Sequence, residues 1–96
     1  MISVYKFMTT NERDTNLALS AFCKHLVESG YEYRENFGDY ALYVNDEGHS
    51  FIVDHRARYA LADGCNSLVV DSFNRYTHIK EKFEGTVSGG KILRYM

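Results

Sequence analysis

The hydrophobic period of this chain changes at Gly30, and that change limits the folds open to it. Before it, Leu19, Phe22, Cys23 and Leu26 recur at the spacing of one helical face. After it come short runs rich in tyrosine, phenylalanine and valine, separated by turn residues, as strands are. A helix followed by a block of strands points to an α+β fold with an antiparallel sheet.

The boundaries can be read from local chemistry. Residues 2–8 alternate loosely, with Ile2, Val4 and Met8 on one side and Tyr5 and Phe7 on the other, which predicts a strand. Thr9 and Glu12 have capping-box spacing, so a helix should start there. It should run to about Ser29 and stop at Gly30, where a left-handed residue ends a helix most easily. Tyr31 to Phe37 reads as a strand. Gly38-Asp39 is a two-residue turn with glycine first, as type II′ prefers.

Tyr40 to Val44 and His49 to about His55 are the next strands, joined by Asn45-Asp46-Glu47-Gly48. Residues 56–62 either extend the third strand or form a short helical turn near Gly64. Asn66 or Ser67 is placed to cap a second helix reaching Phe83 or Glu84, with the stripe Val69, Phe73, Tyr76, Ile79 and Phe83. Ile92 to Met96 reads as a last strand. The expected order is β-α-β-β-β-α-β: one antiparallel sheet, a three-stranded meander plus terminal strands, with both helices on one face. At 96 residues the chain fits one domain, residues 1–96.

Composition narrows the class of function. Apolar residues make up 45% of the chain and charged residues 25%, which argues for a packed core rather than disorder. There is no proline and no tryptophan, yet there are eight tyrosines and six phenylalanines, so aromatics must fill much of the core. No apolar run is long enough to span a bilayer. The first residues lack a basic region followed by a long apolar stretch, which predicts a cytosolic protein with Cys23 and Cys65 as reduced thiols.

Charge is distributed unevenly. Residues 28–54 hold seven acids (Glu28, Glu32, Glu35, Asp39, Asp46, Glu47 and Asp54) and a single base, Arg34. Bases outnumber acids in residues 55–96. An acidic surface repels phosphates and attracts basic protein surfaces. The expected partner is therefore a larger protein with a basic surface; nucleic acid is disfavoured and no membrane is expected.

Register assigns faces, because side chains alternate along a strand. Tyr33, Phe37, Tyr40, Leu42 and Val44 are expected on one face with Phe51 and Val53, beneath the helices. Glu32, Arg34, Asn36, Tyr43, Ile52 and Asp54 are expected on the other. Glu32, Tyr43, Ile52 and Asp54 are then the candidate partner-binding residues, an exposed aromatic–aliphatic pair with an acidic rim.

The helix–meander–helix order over residues 12–84 resembles that of double-stranded-RNA-binding domains and of small ribonuclease toxins built on that fold. The resemblance implies RNA binding or ribonuclease activity; no functional residue carries over from it, and such a module would use the basic half that the charge distribution gives, His55, Arg56, Arg58, Arg75, Lys80 and Lys82. The residue pattern departs from it. The start of the last helix, Asp63-Gly64-Cys65-Asn66-Ser67, has no lysine, and Glu35-Asn36-Phe37-Gly38-Asp39 lacks the toxins' paired glycine and histidine, having no histidine. Shared topology carries no function by itself.

Catalytic groups do not converge. Asp54 and His55 are neighbours on a strand and point to opposite faces, while His49 and His55 stand roughly 20 Å apart at ~3.3 Å per residue. Cys23 and His25 face different sides of a helix. Cys65 has no histidine near it in sequence. Gly89-Gly90-Lys91 has only part of a phosphate loop. No metal or cofactor is expected. The expectation is a non-enzymatic protein-binding module. Its small size, absent proline and many tyrosines look like small accessory proteins of bacteriophages, many of which inhibit host enzymes or defence systems. Pairing of terminal strands into a homo-oligomer is compatible with it.

Overall fold

The computed structural model describes residues 2–8, 12–63, 67–76 and 91–95. The chain runs β1 (Ile2–Met8), α1 (Glu12–Glu28), β2 (Glu32–Phe37), β3 (Tyr40–Val44), β4 (Ser50–Asp54), β5 (Tyr59–Asp63), α2 (Ser67–Tyr76) and β6 (Lys91–Tyr95). The strands form one six-stranded sheet in the order β2-β3-β4-β5-β1-β6. Every neighbouring pair is antiparallel. This is the expected α+β class, with the terminal strands paired to each other.

Residues 56–62 take neither of the two forms expected. Residues 55–58 turn, and 59–63 add a strand to the meander. The Asp54 carboxylate makes this turn: Oδ1 accepts from the backbone N–H of Arg56 at 2.9 Å and of Ala57 at 2.8 Å. Arg58 closes it with a positive φ of 63°. The extra strand separates this fold from the helix–meander–helix order noted above. The proposed caps at Thr9 and Asn66, the reach of α2 to Phe83 or Glu84, Cys65, and Gly89-Gly90 lie outside the described residues.

Two turns behave as their sequences dictate. At the end of α1 the Tyr31 N–H donates to the Leu26 carbonyl at 2.9 Å, and the Gly30 N–H to that of Val27 at 3.1 Å. That pair of hydrogen bonds around a glycine at φ 96° is a Schellman ending, and Tyr31 and Leu26 are both buried. At Gly38-Asp39 only the glycine has positive φ, as a type II′ turn requires.

The core lies between the two helices and one face of the sheet. Phe22 of α1 is its centre, fully buried. Its ring meets Phe7 of β1, Phe51 of β4 and Phe73 of α2 edge-on, with centroids 5.6, 5.4 and 5.2 Å away. Such pairs add about 0.5–1.5 kcal/mol each beyond the area they bury. The sheet answers these rings with small residues, since Ala41, Ala60 and Ala62 are all buried on the same face. His25, also buried, ties the helices together. Its Nε2 donates to the Val69 carbonyl at 3.2 Å and lies 2.8 Å from Ser72 Oγ. Burial holds its pKa below the ordinary value, the hydrogen bond and Glu28 opposing.

Candidate functional site

Directly opposed residues of antiparallel strands share a face, so the register settles which side chains the helices cover. Tyr43 pairs with Phe51, Ala41 with Val53, and these in turn with Ala62 and Ala60. All six are buried. Tyr43, expected on the open face, therefore belongs to the core, at 8% exposure. Its hydroxyl hydrogen-bonds with Cys23, and burial foremost, then this bond, pushes its pKa far above the ordinary tyrosine value.

The expectation for Tyr40, Leu42 and Val44 reverses with it. Phe37 does pair with Tyr40, their rings stacked at 5.6 Å, but on the uncovered side. Tyr33 parts company with Phe37 because the β2–β3 register shifts between Tyr33 and Glu35. One extra residue flips every side chain beyond it to the other face. Tyr33 thus stands beside Tyr43, with ring centroids 5.6 Å apart. Phe51 and Val53 lie under the helices as expected.

The face turned away from α1 and α2 is built in cross-strand rows. The central row runs Glu35, Leu42, Ile52, Leu61 and Val4. Its four aliphatic members are half-buried against one another, and no described helix lies over them. On one side runs Phe37, Tyr40, Asp54, Tyr59 and Lys6; on the other, Glu32, Val44, Ser50, Asp63 and Ile2. The result is an apolar stripe bordered by phenols and acids. Sequence reasoning missed Leu42, Leu61 and Val4. The signal was present in the alternation of residues 59–63, where leucine stands between two alanines.

The candidate residues divide. Ile52 lies in the stripe, and Glu32 is exposed on β2 at the rim. Asp54 is on the correct face but only 5% exposed, and its carboxylate is committed to the 55–58 turn and to the Tyr59 hydroxyl, which also meets Tyr40. A recess beside it is lined by Asp39, Tyr40, Asp54, Arg56 and Ala57. Asp39 and Arg56 face each other there at 3.9 Å, both exposed, a pair worth little in water.

The basic half is less coherent. His55 and Arg56 are exposed on the turn, Arg75 falls on α2, and Lys80 and Lys82 lie outside the described residues. Among the described residues no three of His, Cys, Asp and Glu gather as a metal site, and no helix is long and apolar enough to cross a membrane. Compared with known proteins, the chain matches no family model, no curated protein and no solved structure.

Proposed function

We propose that this chain is a non-enzymatic binding module that docks on a larger protein with a basic surface, through the face of its acidic, tyrosine-rich sheet that is turned away from both helices. One observation carries the reading: Leu42, Ile52, Leu61 and Val4 form a contiguous aliphatic row that neither helix covers. Aliphatic area concentrated on one face, rather than scattered singly, is the pattern of an interaction surface. Glu32, Glu35 and Asp63 flank that row and would meet basic groups at the rim of the interface. Rim charges steer approach and select the partner more than they add affinity. Inhibition of an enzyme or a defence complex is the form such docking takes in the small phage proteins the composition resembles.

The test is capture from a lysate, with and without nuclease, by the native chain and by an Ile52→Arg/Leu61→Arg variant checked for native circular dichroism. A stoichiometric protein held through nuclease by the native chain and lost by the folded variant supports docking on this face. A protein that both hold equally refutes it. Captured RNA that leaves with nuclease moves the function to His55, Arg56 and the basic half instead.

A further inference from the structure

We propose that β2 is a docking strand, taking an extended basic segment of the partner as a further strand of the sheet. This rests on the reading of the chain as a module for a basic partner, and it names the form of the contact. Among the described residues β2 lies at the edge of the sheet and pairs only with β3. All six of its side chains are exposed, on both faces. Tyr33 on the helix side is 47% exposed and Phe37 on the open side 46%. The helical layer that buries Tyr43 thus leaves the side chains of the strand beside it exposed.

The backbone is aimed outward as well. A two-residue turn makes Phe37–Tyr40 the closing hydrogen-bonded pair of the hairpin. Bonded and non-bonded positions alternate along an antiparallel pair, so the N–H and C=O of Asn36 point away from β3. They are free to pair with an added strand, the contact that supplies affinity in strand-addition complexes.

Side chains decide which strand is accepted. Glu32 and Glu35 lie on β2 with Arg34 as the strand's one base, and Asp39 follows in its turn, facing Arg56. Like charges directly across two strands destabilise the pair, and opposite charges support it. A second copy of β2 carries the same excess of acid, whereas a basic segment would meet the glutamates favourably. Alternate lysine or arginine side chains of the added strand would all lie on the open face, with Glu32, Glu35 and the Phe37–Tyr40 ring pair, and the residues between them would lie beside Tyr33 on the helix side. The register shift at Arg34 confines regular pairing to the end nearest the turn. Charge and bulge are the usual guards of an edge. Here they leave it open to one class of strand.

The probe is a short fluorescein-labelled peptide of alternating lysine and valine, read by anisotropy. Controls are the same peptide N-methylated on every second amide and a glutamate–valine peptide. The lysine–valine peptide should bind about tenfold or more tighter than either control, each lost pairing bond being worth on the order of tenfold. Asn36→Pro, which an edge strand accommodates, should lose a similar factor and leave circular dichroism unchanged. Equal affinity for the N-methylated peptide, or no effect of Asn36→Pro, overturns strand addition. So does a native chain that dimerises and an Asn36→Pro variant that does not, since the edge would then take a second copy. If Asn36→Pro still captures the lysate partner and the open-face variant does not, strand addition fails while docking on the open face stands.

Discussion

Leu42 and Tyr43 are consecutive residues of β3, and the structure gives them opposite fates. Truncating each to alanine is a direct test of which face the helices cover. Tyr43 is buried, packs on Tyr33 at 5.6 Å and bonds to Cys23. Removing a buried aromatic ring costs about 3–5 kcal/mol. Leu42 is half-buried in the open row, so its truncation forfeits only part of a side chain's burial, about 1 kcal/mol. A chain of 96 residues has roughly 5–14 kcal/mol of stability in all, so Tyr43→Ala should remove a large fraction of it. In a domain of this size each 1 kcal/mol moves Tm by about 4–8 °C, which separates the two variants by at least ~8 °C. Urea unfolding followed by far-ultraviolet circular dichroism measures both, with unchanged slopes confirming that the native state is what changed. If Leu42→Ala is as costly as Tyr43→Ala, the helices cover the other face and the open-face reasoning fails with it.

Other outcomes follow from the same contacts. His25 is held neutral by burial, so the unfolded chain takes up its proton more readily. Stability should fall as pH drops through about 6.5 toward the lower folded value, and His25→Gln should show a shallower acid slope in melts across pH 7 to 5. At Gly30, φ is 96° and an added Cβ would meet nothing within 4 Å, so Gly30→Ala should cost only backbone strain, about 1 kcal/mol, with asparagine costing less. Asp54→Ala strands the N–H groups of Arg56 and Ala57 and should cost about 1–2 kcal/mol by urea titration, whereas Asp54→Asn keeps an acceptor and should cost less. A binding defect in the alanine variant alone would therefore report the turn, not a contact.

Most of the fold was legible because local chemistry and burial agree. The stripe ending at Gly30, the glycine-first turn at Gly38 and the alternation around Tyr5 and Phe7 each read correctly from a few neighbouring residues. The face assignment was not legible in β3. Both sides of that strand are apolar, and the larger aliphatics lie on the open side, while alanines face the helices because phenylalanine rings fill the space there. Hydrophobicity alone would bury Leu42 before Ala41. The strand at Tyr59 was hidden by the turn before it, whose defining bond is a side chain reaching back to backbone. Of the candidate residues, Glu32 and Ile52 kept their place, because exposure at an edge and alternation within β4 survive either assignment of β3.

The position of β1 sets an order of events. It lies between β5 and β6, so both its partners are made long after it, while β2, β3 and β4 join only their neighbours in sequence. Nearby pairings close cheaply and distant ones slowly. A ribosome would release the meander as a nearly finished hairpin ladder while β1 still had no strand beside it. Tyr5 and Phe7, which end in the core, would spend that interval in water. The slow, aggregation-exposed step is then the arrival of this first strand at the ladder, and a slow-translating stretch between β1 and β5 would lengthen it.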